Sequence, residues 1–220
     1  MTPHRPAPTL TEEQALLAAG YRVIAGLDEA GRGTWAGPVA AAAVVLPLDS
    51  ADRLAALEGV CDSKMLHPHR REELEARIAE AAVAVGFGLA SAQEIDDLGI
   101  LPATRLAMRR AIANLGIPAE FLLIDAVKLP QEKTHQKSIV RGDALCFSVA
   151  AASIVAKVRR DRLMAELDAL YPGYGFARHK GYGTAQHLAA LRALGPCPIH
   201  RRTFAPVQVL LETPTRSGQP

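Results

Sequence analysis

Two apolar runs, "YRVIAGL" from Tyr21 and "GPVAAAAVVLP" from Gly37, constrain the fold more than any other feature of this chain. Each is almost continuous and is bounded by Gly or Pro. A strand that is apolar on both sides must be covered on both sides, so the pair belongs in the middle of a sheet with helices packed on it. The alanines of "VAAAAVVL" also suit a helix, and that alternative stays open. Read as strands, the two runs are close enough for a hairpin. With later strand patterns at "AVGFGLA" and "AEFLLIDAV", they point to a mixed sheet flanked by helices.

Helical patterns fill the intervals. "TLTEEQALLAAG" reads as a short helix capped by Thr11 and ended by Gly20. "HPHRREELEARIAEAAV" is amphipathic, with Leu74, Ile78 and Ala81 or Ala82 on one face. "LPATRLAMRRAIANLG" and "AQHLAALRALG" are further helices, and the longest pattern, Asp143 to Leu170, suits two helices in series. "YPGYGFARHKGYGT" reads as a loop. Residues 1–20 are expected to form a loose extension carrying the short helix, 21–207 a single globular domain, and 208–220 a flexible tail. A chain of 220 residues, 49% hydrophobic and 22% charged, can bury the core this requires.

The acids are harder to place in a core. Asp28 and Asp125 each follow an apolar run at the end of a predicted strand, where α/β sheets gather ligands. Asp143 precedes the long helix and suits an N-cap equally well. Glu29 adjoins Asp28, and neighbours on a regular strand face opposite sides, so a shared site requires the strand to end or bend between them. Several carboxylates in one place repel, and a hard divalent cation relieves that repulsion. Zinc is disfavoured, since neither CxxC nor HExxH occurs and "CPIH" at Cys197 is incidental. Nucleotide-cradling and serine-hydrolase motifs are likewise absent.

Net charge is only +2, so a polyanionic partner must be argued from the placement of charge. Lys64, then Lys157, Arg159, Arg160 and Arg162, then His179 and Lys180 form basic clusters. Beside an anionic metal site they suit a phosphodiester backbone. Gly31-Arg32-Gly33 allows main-chain groups to approach a sugar, and Tyr182 stands between glycines with a ring and a hydroxyl to offer. Three widely spaced cysteines make a disulfide framework unfavourable and fit a reducing cytoplasm. No segment has the length and apolarity of a membrane span or a signal peptide.

Taken in order, "GLDEAGRG", "DSK", "IDAVKLP", "IVRGDAL", "AAASIVAKVRRDRLM", "YPGYGFARHKGYGT" and "GPCPIHRRTFAP" resemble bacterial ribonuclease HII from about residue 22 to 207. The resemblance implies a ribonuclease H-like catalytic domain: a mixed five-stranded sheet flanked by helices, with a helical carboxy-terminal region. It implies an endonuclease that cuts RNA in RNA/DNA hybrids and at single ribonucleotides in duplex DNA. Asp28, Glu29, Asp125 and Asp143 would hold Mg2+ or Mn2+, two per site, for in-line attack by water that leaves 3′-hydroxyl and 5′-phosphate ends. The Gly31, Arg32 and Gly33 backbone would read the 2′-OH, Tyr182 would contact the same nucleotide, and Lys64 would lie near the backbone phosphates, for which Lys157 and Lys180 of the basic clusters are further candidates. A monomer in the cytoplasm is expected. Thr34-Trp35 replaces the family's usual Pro-Leu, Cys61 a frequent Asn, and Ala126 a usual Gly. Two rival readings remain: a silent hybrid-duplex binder, and a DNA-directed nuclease on the same fold.

Overall fold

The computed structural model describes residues 7–212. Strands β1 (Ile24–Ala30), β2 (Val39–Val45), β3 (Ala84–Ala90), β4 (Phe121–Asp125) and β5 (His135–Ile139) form one sheet in the order β3-β2-β1-β4-β5. β1 pairs antiparallel with β2 and parallel with β4, so the two apolar runs are the hairpin their spacing requires. Every residue of β2 is buried, which settles the alanine-rich run as a central strand. β5 was not foreseen. Its sequence, HQKSI, has no apolar face, and it lies at the sheet edge paired only with β4.

Helices α5 (Ile100–Ala113) and α7 (Phe147–Leu170) cover opposite faces. Ala25, Leu27, Ala41 and Ala43 pack towards Ala103, Ala107 and Met108 of α5. Ala42 and Val44 pack with Ala150, Ile154 and Val155 of α7 and with Leu74 and Ile78 of α3 (Pro68–Ala81). Gly26 brings α7 unusually near, because a Cβ there would collide with the Ser148 backbone. The predicted break in the long helix falls at Cys146, between α6 (Gly142–Leu145) and α7.

Residues 7–20 of the expected loose extension are tied to the domain, with the Thr9 amide donating to Leu145 O and Thr9 O accepting from the Phe147 amide (both 3.0 Å). Helix α1 (Thr11–Ala18) starts after Leu10 with no side-chain cap, so Thr11 is its first residue and not its N-cap. Its Glu13 is fully buried, and Oε1 accepts from the Ser148 amide (2.8 Å) and hydroxyl (2.7 Å). α7 has no cap of its own, so α1 supplies the carboxylate that its first turn lacks. Glu13→Ala is therefore expected to cost about 1–3 kcal/mol, and Glu13→Gln, which keeps an acceptor, less. Urea unfolding midpoints check this, and equal midpoints for the two variants would contradict it.

At the other end, α10 (Ala205–Glu212) carries helix into the expected tail, whose remainder, 213–220, lies outside the described residues, as do residues 1–6. The helices α2 (Ala51–Ala55) and α4 (Ala92–Leu98) were also missed, as was α8 (Phe176–His179) within the predicted loop. α9 (Ala185–Leu194) follows the sequence pattern. Among the described residues, no helix is long and apolar enough to cross a membrane.

Candidate active site

The parallel register of β1 and β4 ends at Leu27 opposite Ile124. The next pair in that register is Asp28 and Asp125, on neighbouring strands roughly 4.8 Å apart. β4 stops because Ala126 turns into the left-handed region (φ 49°), at a cost near 1 kcal/mol for a residue with a Cβ. β1 continues beyond it, paired to β2 as far as Ala30. The strand thus neither ends nor bends between Asp28 and Glu29, contrary to the sequence-based requirement. Both acids line one cleft because the strand on their other side has ended.

That cleft, of about 260 Å³, is lined by Asp28, Glu29, Asp125, the Gly31–Gly33 turn, Ser63, Lys64, Arg71, Ser153, Lys157 and Tyr182. Ser153 and Lys157 are four residues apart on α7 and so share a face. Asp143 does not line it. It is buried and accepts from Lys64 Nζ at 2.9 Å, with Asp62 at 4.0 Å from the same ammonium. Lys64 is bound at one end to acids and 75% exposed along its side chain, so it can swing away. Among the described residues, no three His, Cys, Asp or Glu side chains form a ready-made metal cage.

Charge is strained here nonetheless. Burial, then Glu29 and Asp125, raise the Asp28 carboxyl well above its ordinary range. Burial also raises Glu29 against the pull of Arg32, whose Nη1 lies 3.1 Å from Oε1. Asp125 is raised by burial, opposed by the Gly142 amide that donates to Oδ1 (2.7 Å). Glu29 Oε2 is buried with no partner. Clustered, partly desolvated carboxylates with an oxygen to spare are what a hard divalent cation prefers, so the donor set fits such an ion.

The Gly31–Pro38 loop is held by two fully buried arginines that have no carboxylate partner among the described residues. Arg201 donates to the carbonyls of Arg32 (2.7 Å), Gly31 (2.6 Å) and Gly37 (2.9 Å). Arg160 donates to Pro38 O (2.9 Å), to Thr34 Oγ1 (2.9 Å) and to Lys180 O (3.0 Å). Burial, and then Arg160, bring the Arg201 guanidinium down to about 9. Gly31 needs to be glycine for this packing, with φ 90° and Arg160 where a Cβ would be. Gly33 does not: a Cβ there would meet nothing within 4 Å, so its space faces outward.

The basic clusters divide differently from their reading in sequence. Lys64 and Lys157 line the cleft, and Lys157 lies 5.5 Å from the Tyr182 ring centroid and 2.8 Å from Asp161. Arg160 is interior. Arg159 and Arg162 are tied to Glu75, and Arg162 to Glu72 as well. The Lys180 side chain does not line the cleft, and its carbonyl serves as Arg160's acceptor.

A five-stranded mixed sheet with acids at the ends of its central parallel pair is a ribonuclease H-like arrangement. The Ribonuclease HII family profile matches residues 25–207. Ribonuclease HII of Roseiflexus castenholzii is 56% identical over 200 residues, covering 91% of this chain and 89% of that protein. Ribonuclease HII of Chloroflexus aggregans is 55% identical over 206 residues, covering 94% and 97%. Among solved structures, ribonuclease H2 of Pyrococcus horikoshii superposes with a TM-score of 0.72 at 27% identity, covering 86% of this chain and 97% of that one. Bst-RNase HIII, solved in complex with Mn2+, shares the fold with a TM-score of 0.64 at 22% identity, covering 87% and 70%. The chain belongs to the ribonuclease HII family.

Proposed function

We propose that this endoribonuclease of RNA/DNA hybrids also incises duplex DNA at single embedded ribonucleotides, using the cleft at the end of β1 and β4. The observation that carries the reading is that cleft. It sets three carboxylates, one with an unpartnered buried oxygen, beside a glycine turn with open space at Gly33.

Asp28, Glu29 and Asp125, joined by Asp143 once Lys64 releases it, would hold two Mg2+ or Mn2+ ions, which supply an activated water and stabilise the leaving 3′-oxygen when bound. The protein's own groups do the recognition. Arg201 takes up the carbonyls of Gly31 and Arg32, which leaves the outward side of this turn for a 2′-OH. Tyr182, 42% exposed, presents its ring across the cleft. Lys64 and Lys157 offer ammonium groups to the phosphates on either side of the scissile bond. Lys180 supports the Tyr182 loop through its backbone. Since the 2′-OH is read and does not attack, the products carry 3′-hydroxyl and 5′-phosphate ends. A monomeric, cytoplasmic enzyme completes the reading, in keeping with three free cysteines.

The test is a duplex with one embedded ribonucleotide, assayed beside an all-DNA duplex, with Mg2+ or Mn2+ and with chelator. Cleavage is expected only at the ribonucleotide and only with metal. Equal cutting of the DNA control, binding without cutting, or a 2′,3′-cyclic phosphate product would overturn the reading.

A further inference from the structure

Trp35, one of the residues that depart from the family pattern, lies at the seam between the two loops proposed to read the ribose. Its amide donates to Gly181 O (2.8 Å), and its carbonyl accepts from the Arg201 amide (2.8 Å). Its indole lies against Gly183, where an added Cβ would collide with the ring. The ring centroid is 5.4 Å from that of His187.

His187 in turn fixes Tyr182. The Tyr182 carbonyl can only accept, so His187 Nδ1 is the donor at 2.9 Å. At the far end, the Cys197 amide can only donate, so His200 Nδ1 accepts it at 2.9 Å. The Nε2 atoms of the two rings are 3.0 Å apart, which makes His200 Nε2–H the donor to His187 Nε2. With both rings neutral these contacts run in one donor order, from Cys197, whose thiol (3.1 Å) and carbonyl (3.3 Å) also lie near His200 Nδ1, to the carbonyl of Tyr182, which faces the cleft. Arg160 adds a second tie by bonding Thr34 on one loop and Lys180 on the other.

We propose that Trp35 is a positioning residue that sets the distance between Tyr182 and the Gly31–Gly33 backbone, so that the two loops gauge one ribose as a rigid unit. The proposal rests on the reading that both loops contact the ribonucleotide. Two contacts on one sugar act together only if their separation is fixed before binding, because otherwise each encounter must order the loops anew. A flat, rigid indole against a glycine fixes that separation with one side chain.

A double-mutant cycle tests it on the single-ribonucleotide duplex. Trp35→Ala is expected to lower kcat/KM about 10- to 100-fold, as expected for a reading group displaced by an ångström. Trp35→Phe should recover most of the loss. In a Tyr182→Ala background, Trp35→Ala should cost less than about twofold more. If Trp35→Ala fails to fold, Gly183→Ala drives the same seam apart from the other side and enters the same cycle. Losses that multiply, or a Trp35→Ala enzyme with unchanged kcat/KM, would overturn the proposal while leaving the function intact. A Tyr182→Ala enzyme as active as its parent would overturn the role of Tyr182, and the proposal with it. A parent that does not distinguish the ribonucleotide from all-DNA would sink the functional reading itself.

Discussion

Asp28→Asn is expected to lose cleavage by about a thousandfold or more, and to make the metal-free protein more stable. Asp28 is 4% exposed, and its raised pKa means that the folded state holds its proton more tightly than the unfolded chain does. The sign follows from linkage: the stability this group contributes is fully present below its unfolded value of about 3.9 and is lost as pH rises through the folded value. Above the unfolded value, keeping this acid in its buried site therefore opposes folding, and a neutral amide of the same shape does not. The amide oxygen can still accept from the Glu29 amide, as Asp28 Oδ1 does at 2.7 Å. In chelator, the variant should melt above the parent, each kcal/mol counting for roughly 2–4 °C at this size. The gap should narrow as pH falls towards 4. Added Mg2+ or Mn2+ should raise the parent's Tm more than the variant's. A variant that melts lower than the parent in chelator, or one that still cuts, would refute the assignment of Asp28 as a metal-bearing acid.

Arg201→Ala, which removes a clamp on the Gly31–Pro38 loop, is expected to destabilise the protein by about 3 kcal/mol or more. The substitution strips donors from the carbonyls of Gly31, Arg32 and Gly37 together, and the bonds to Gly31 and Gly37 are buried. It also removes one of the two largest fully buried side chains among the described residues. Arg201→Lys should recover only part of the loss, because a single ammonium cannot reproduce the planar fork that reaches several carbonyls. Urea unfolding gives the stability, and kcat/KM on a ribonucleotide duplex gives the consequence for the turn. If Arg201→Ala unfolded at the parent's midpoint, the clamp would not be holding the loop.

Hydrophobic patterning reveals what is buried, and so β1, β2, β4, α3 and α7 could be read in advance. The acids could be read for the opposite reason, since an acid at the end of an apolar run has no place in a core. β5 was invisible because an edge strand with polar residues carries no apolar period. α4 was legible and overlooked: Ser91 and Glu94 form a capping box, a signature present in the sequence. Arg160 was misread as part of a basic cluster, and Arg201 was passed over, because arginine is presumed exposed and only the folded loop reveals the carbonyls that solvate them. Trp35 could not be understood from its own neighbours, because the partner that explains it, Gly183, lies 148 residues further along the chain. The pairing of Asp143 with Lys64 was similarly out of reach, since it depends on how a turn after β2 meets the start of α6.

The chain contains one tryptophan. Because that residue is Trp35, the protein carries its own optical probe at the seam between the two loops. Indole emission responds to the packing and polarity around the ring, and here the surroundings are the Gly183 backbone and the His187 imidazole. All the tryptophan fluorescence of the protein therefore originates at the edge of the cleft, and the arrival of a nucleic acid there can be followed without attaching a dye.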